Sequence, residues 1–292
     1  MNIVSKVSEV REFVKKCKKS ELTIGLVPTM GYLHEGHLSL IKKCREENDI
    51  VVVSIFVNPT QFGENEDLDA YPRDLKKDSE LCKEAGVDLI FNPTAEEMYV
   101  NPHTYVNITG LSENLCGKSR PIHFKGVCTV VSKLLNIVTP DRAYFGEKDA
   151  QQLAIVKKMV QDLNFDVEIV GCPIIRESDN LAKSSRNSYF NQEERKAACI
   201  LSKALNSGKE YLKNSRDINT LKKIIVDEIE SEPLARIDYV EVVDAYNIEP
   251  VDKIEKEILV AAAVYIGKTR IIDNFTFDGK SENNGQLRSD AK

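Results

Sequence analysis

Two of the four histidines stand three residues apart in the turn His34-Glu35-Gly36-His37, directly after Pro28-Thr29-Met30-Gly31-Tyr32-Leu33. This stretch follows a strand-like run and leads into a helical one. A helix N-terminus at the carboxyl end of a strand offers free N–H groups and a positive dipole end, which suits phosphate. A positive helix end also disfavours imidazolium, so both rings are expected neutral and able to donate N–H bonds to phosphate oxygens. Gly36 lets the backbone approach a ligand closely. Two blander readings compete: the pair could hold a metal, though no third ligand stands nearby, or the turn could simply be solvated. The glycine patterns of dinucleotide sites and P-loops are absent.

Three further segments could bear on the same chemistry. Gly146-Glu147-Lys148-Asp149 lies between a short strand and a helix, where Lys148 could reach a transferring phosphoryl group. Lys183, Ser184, Ser185 and Arg186 could close over a triphosphate, although alone they read as a polar linker. Asn58-Pro59-Thr60-Gln61-Phe62 ends a β-branched run with neutral amides, suited to hydroxyls and carboxylates but also ordinary turn residues. His103 and His123 are single histidines; His123 opens a helix and could touch substrate or be structural.

The elements that must position these residues alternate. Residues 22–27, 50–57, 88–91, 142–145 and 166–172 read as strands. Residues 37–47, 73–85, 124–137 and 150–163 read as amphipathic helices. Such alternation predicts a parallel sheet covered on both faces. After about residue 175 come two helices, 193–213 and 218–230, then strands at 237–244, 258–266 and 270–277. Helices and strands in blocks predict a smaller α+β domain, giving domains at 1–175 and 176–292, with a polar, mobile tail from about 278.

Composition narrows the class. At 292 residues, 42% apolar and 29% charged, the chain reads as an ordinary globular protein. A net charge of −6 makes it a poor general binder of nucleic acid. Its 7 cysteines are widely spaced without Cys-x-x-Cys, which fits reduced thiols in a cytoplasmic protein. The N-terminus lacks a signal-peptide core, and the apolar run 258–266 is too short to span a bilayer, so no membrane association is expected.

Four stretches in order carry a resemblance: VPTMGYLHEGHLSLI from Val27, VVVSIFVNPTQFGENEDLDAYPRDLKKD from Val51, PDRAYFGEKDAQQLAIVKKMV from Pro140, and SSRN from Ser184. They resemble the pantothenate synthetase (pantoate–β-alanine ligase) family over roughly the first 190 residues. The resemblance implies an α/β fold with a Rossmann-like parallel sheet of the HIGH-type nucleotidyltransferases, and a smaller C-terminal α+β domain. It implies ATP-dependent condensation of pantoate with β-alanine through a pantoyl adenylate, releasing AMP and pyrophosphate, with Mg2+, in a homodimer. On that resemblance Met30, Gly31, Tyr32, Leu33, His34, Glu35, Gly36 and His37 bind ATP. Gly146, Glu147, Lys148, Asp149, Ile175, Lys183, Ser184, Ser185 and Arg186 match further ATP-binding positions. His37, His34 and Lys148 would be catalytic, Gln61 would touch pantoate and β-alanine, and Gln152 would touch pantoate.

This chain departs from the family pattern at Lys183, where methionine or leucine is usual. It has Asp179-Asn180 in place of Asp-Gly, and Cys116-Gly117 in place of Glu-Gly. Rival readings are another nucleotidyltransferase of the same fold, a synthetase-like RNA-binding module, and an inactive nucleotide sensor.

Overall fold

The computed structural model describes residues 1–64 and 66–279. In chain order the first half holds β1 (Asn2–Val4), α1 (Val7–Lys19), β2 (Ile24–Thr29), α2 (Glu35–Glu47), β3 (Ile50–Ile55), α3 (Leu75–Glu84) and β4 (Leu89–Phe91). It continues with α4 (Ala95–Met98), α5 (Leu115–Ser119), α6 (His123–Val138), β5 (Arg142–Gly146), α7 (Ala150–Asp162) and β6 (Glu168–Cys172). Six strands form one parallel sheet in the order β1-β4-β3-β2-β5-β6. From β2 the chain steps outward to β3 and β4, then crosses back to place β5 on the other side of β2. The carboxyl ends of β2 and β5 therefore flank a topological switch point, where ligands of open α/β sheets gather.

The uninterrupted apolar runs of β2, β3 and β4 follow from burial on both faces. Leu26, Val52 and Leu89 pack toward α1, α6 and α7, against Val10, Val127, Val131 and Val156. Val27, Val53 and Ile90 point the other way, against Leu40, Ile41 and Cys44 of α2 and Cys82 of α3.

The later elements are α8 (Gln192–Ala197), α9 (Ile200–Tyr211), α10 (Ile218–Glu230), β7 (Ala235–Asp244), β8 (Glu257–Ile266) and β9 (Thr269–Asp278). The last three form an antiparallel sheet, β7-β8-β9. One face packs on Leu201, Leu205, Leu221 and Ile225 of α9 and α10. The other presents Val243, Leu259 and Ala261 to Leu115 of α5, with Ala150 and Ala154 of α7 alongside.

The alternation expected from sequence is present, with differences at its edges. The helix expected over 193–213 is divided into α8 and α9. The periodicity begins at residue 22 and so omits β1 and α1. Val10, Val14 and Cys17 line the buried face of α1, but charged residues interleave with them. The expected mobile tail lies, beyond Gly279, outside the described residues.

One contact sets how closely α6 approaches the segment after β3. Gly126 of α6 lies against the turn Pro59–Gln61, where a Cβ would stand 2.4 Å from the Thr60 carbonyl oxygen and 2.6 Å from the Gln61 Cα. Alanine would add about 1 kcal/mol of helix propensity, but these backbone contacts cannot be relieved by rotating a side chain. Gly126→Ala is expected to destabilise the protein by a net ~1 kcal/mol or more. Urea unfolding checks this; an unchanged or raised midpoint would show that α6 can step away freely.

Candidate active site

The turn after β2 is held from behind by one buried carboxylate. Asp78 of α3 accepts the Tyr32 N–H at 2.8 Å and the Leu33 N–H at 2.7 Å. Burial pushes its carboxyl pKa up, while these two backbone bonds act in the opposite direction. Gly31 (φ +83°) and Tyr32 (φ +51°) adopt the left-handed backbone that the turn requires. A side chain at Gly31 would also crowd the Asp78 carboxylate and Ile55.

His34 is the N-cap of α2. Its Nδ1 accepts the Gly36 N–H at 3.1 Å, and the His37 Nδ1 accepts the His34 N–H at 3.3 Å. A backbone N–H can only donate, so both Nδ1 atoms carry lone pairs and both ring protons sit on Nε2. The rings lie 4.1 Å apart. Burial pushes His34 down to about 4, with the Lys148 charge adding to it. Burial likewise pushes His37 down to about 3, with His34 and Lys148 contributing. Both are neutral Nε2–H donors at neutral pH.

The other arms converge from across the sheet. Lys148 follows β5, with Asp149 at 4.0 Å. The Asn274 side chain of β9 donates to the carbonyls of Glu147 (3.1 Å) and Lys148 (2.8 Å). The Lys183 N–H donates to the Ile175 carbonyl at 2.9 Å, and the Ser185 hydroxyl donates to the Tyr32 carbonyl at 3.3 Å. Arg186 makes two hydrogen bonds to Asp67 at 2.8 and 2.9 Å, while the Tyr189 hydroxyl donates to Asp67 at 3.1 Å. Lys183, the unusual residue, pairs with Glu35 at 3.1 Å. Asn180 takes φ +69°, the left-handed conformation that asparagine tolerates better than most side chains. Cys116 lies with its Sγ 3.2 Å from the Tyr239 hydroxyl and 3.5 Å from the Arg270 guanidinium.

Gln61 is buried. Its Nε2 lies 3.1 Å from the Met30 sulfur, and its Oε1 accepts from Asn58 Nδ2 at 3.1 Å. Asn58 also accepts the Tyr99 hydroxyl at 2.7 Å and donates to the Gly126 carbonyl at 3.2 Å. The His123 Nδ1 lies 3.0 Å from the Gln61 carbonyl oxygen. Burial, and then the nearby Arg120, push His123 down to about 4.

A cavity of about 240 Å³ brings most of the expected residues together: Met30, His34, Gly36, His37, Gln61, Gly146, Lys148, Asp149, Gln152, Ile175, Lys183, Ser184, Ser185 and Arg186. Its apolar wall is Val127, Val130, Val131 and Leu134 of α6. A cleft of about 1310 Å³ adjoins it, and Lys148, Asp149, Gln152, Ser184 and Arg186 line both. Gly31, Tyr32, Leu33, Glu35 and Glu147 are not among the lining residues of either; the first three lie in the turn backed by Asp78, and Glu35 and Glu147 are exposed.

Sequence reasoning passed over Asp78, Arg120 and Asn274. Arg120 lines both cavities and is paired with Glu66, its Nε at 3.0 Å from Oε1. Only Asp78 left a legible signal: it shares helical spacing with Leu81, Cys82 and Ala85, an acid on an apolar face.

A family model described as pantoate-beta-alanine ligase matches residues 2–276. A pantothenate synthetase of Clostridium botulinum is 61% identical over 279 residues, 95% of this chain and 99% of that protein. One of Enterococcus faecalis is 63% identical over 280 residues, with the same coverage. The crystal structure of pantothenate synthetase from Thermus thermophilus is similar at a TM-score of 0.88 and 43% identity, covering 94% of this chain and 99% of that one. Pantoate-beta-alanine ligase from Francisella tularensis, complexed with beta-gamma ATP and β-alanine, is similar at a TM-score of 0.77 and 35% identity, covering 97% and 99%.

The depressed histidines set a pH dependence. A base whose folded pKa is lowered binds fewer protons when folded than unfolded. His34, His37 and His123 therefore contribute stability that is fully present above the unfolded value of 6.5 and lost as pH falls toward about 4 and about 3. The melting temperature is expected to drop from pH 6.5 to 4, less steeply in His37→Gln and His123→Gln than in the parent. Equal slopes for all three proteins would contradict the assignment.

Proposed function

The chain belongs to the pantoate–β-alanine ligase family, and from that premise we propose that it condenses pantoate with β-alanine at the expense of ATP. The observation that carries this reading is the pair of neutral Nε2–H donors at 34 and 37, facing one cavity with Lys148 and the amides of Gln61 and Gln152. Polyphosphate suits the donors and cations. A small branched hydroxy acid suits amides set against the valines of α6.

The pantoate carboxylate attacks the α-phosphorus of ATP in line. The bond to the β-phosphate oxygen breaks, and pyrophosphate leaves with its electron pair. The nucleophile belongs to the substrate, so the chain has only to position it and stabilise charge. His34, His37 and Lys148 steady the charge that develops on phosphate oxygens, while Lys183, Ser184, Ser185 and Arg186 hold the nucleotide. The β-alanine amine then attacks the acyl carbon of the pantoyl adenylate, and AMP leaves.

Mg2+ would neutralise phosphate charge when bound. Among the described residues no group of three or more His, Cys, Asp or Glu could hold a metal alone. The donor set therefore fits a hard cation carried by phosphate and water oxygens. Asp149, the carboxylate lining the smaller cavity, would bear on it.

The boundary between the ATP- and pantoate-binding unit (1–175) and the smaller unit (176–292) is part of this proposal. It is supported by the separation of the two sheets on either side of it. A homodimer is also part of it, carried by family resemblance. Among the described residues no helix is long and apolar enough to cross a membrane, which is compatible with the cytoplasmic location proposed here.

AMP release should require pantoate and β-alanine together, and pantoate alone should exchange labelled pyrophosphate into ATP. Exchange that ignores pantoate would point instead to another nucleotidyltransferase. His37→Ala and Lys148→Ala, with fold retained, are each expected to lose about 100- to 1000-fold in kcat. A folded His37→Ala protein of near-parental activity would sink the assignment. Gln61→Ala should raise the KM for pantoate more than that for ATP, and equal rises would count against its role.

A further inference from the structure

The catalytic candidate Lys148 sits on a turn whose carbonyls are held by a side chain from the other sheet. Asn274 of β9 is buried, and its Nδ2 donates to the carbonyls of both Glu147 and Lys148. An amide nitrogen has two protons, and the two bonds use both. The neighbouring Asp273, also buried, receives the Arg176 guanidinium at 2.6 and 3.0 Å, and its Oδ1 accepts the Asn274 N–H at 2.8 Å. Arg176 follows β6 and donates in turn to the Asn180 carbonyl at 3.1 Å. β9 is thereby fastened at one residue to the segment after β6 and at the next to the turn after β5.

We propose that Asn274 is a positioning residue for the adenylation step, setting where Lys148 stands relative to the histidine pair; this rests on the ATP-dependent reading above. The turn residues Glu147–Asp149 form a single 3-10 turn without a side-chain cap, so their own bonding does little to fix it. β5 supplies the direction of the chain as it leaves the sheet, and Asn274 supplies the stop. The two carbonyls could be satisfied by water, but water would not tie them to β9. A displacement of the order of 1 Å at a charge-stabilising group can cost on the order of 100-fold in rate.

The test is a double-mutant cycle on pantoate-dependent pyrophosphate exchange, using the full chain as parent, Asn274→Leu, Lys148→Ala and both together. Leucine keeps the γ-branched shape of asparagine, at a larger volume, and removes both donors. Asn274→Leu is expected to lower kcat about 10- to 100-fold while the KM for β-alanine in the full reaction stays within about twofold. The double variant should fall no further than Lys148→Ala alone, because the loss acts through the lysine. Losses that multiply, or parental kcat in Asn274→Leu, would overturn the proposal. If Asn274→Leu does not fold, as read by circular dichroism, Asn274→Ala is measured in its place. A parent that shows no pantoate-dependent exchange fails the functional reading instead. ATP dissociation constants of the same four proteins then decide: shifts that do not add support the role of Asn274, and additive shifts, or a parent that binds no ATP, reject it.

Discussion

The first turn of α2 leaves backbone N–H groups without partners inside the helix, and the two histidines take up two backbone N–H groups at that helix start. His34 Nδ1 accepts from Gly36 and His37 Nδ1 accepts from His34. The bonds that start the helix therefore also choose the tautomer of both rings. Gly36 belongs to the same constraint, since a Cβ there would meet the His34 ring at 2.9 Å. Asp78 completes it by pinning the two residues before His34. A buried carboxylate is an expensive support, and here it serves two consecutive N–H groups of one turn.

The sheet then brings distant segments to this turn. β2 and β5 are neighbours in space though 118 residues separate their starts, Ile24 and Arg142. Lys148 consequently arrives beside histidines far away in sequence. Four cations lining the cavities each have a carboxylate partner: Lys148 with Asp149, Lys183 with Glu35, Arg186 with Asp67, and Arg120 with Glu66. This pairing lets a chain of net charge −6 gather positive groups in one place without strong mutual repulsion. It also means that a polyphosphate must either join these pairs or displace a carboxylate from them.

Legibility in the sequence follows the range of the interactions. The buried strands announced themselves as β-branched runs, and the histidine turn stood out because glycine and two histidines adjoin a strand end. Residues that act through their neighbours were harder to see. Asp78 carries a local trace, an acid on an apolar helical face. Asn274 carries none, because its partners lie more than 120 residues away and nothing about an asparagine in an alternating strand marks it as a donor to a distant turn. The same limit applies to α1, whose dense charges mask a narrow buried stripe. The resemblance to a known family supplied the grouping of the four short motifs, which spacing alone left as separate loops.

The geometry also bears on whether His37 passes a proton or only donates a hydrogen bond. With its pKa pushed down to about 3 by burial, His37 is held as the neutral imidazole at pH 7. A bound triphosphate would draw that pKa upward by placing negative charge beside the ring. Yet the added proton must go to Nδ1, where it would face the His34 N–H and replace an accepted bond by two opposed donors. The acid form is therefore penalised by the helix start itself, whatever occupies the cavity. A neutral Nε2–H meets no such obstacle. In the reaction proposed above it would donate to a phosphate oxygen as charge develops there, and pyrophosphate is a weak enough base to leave without being protonated by the protein.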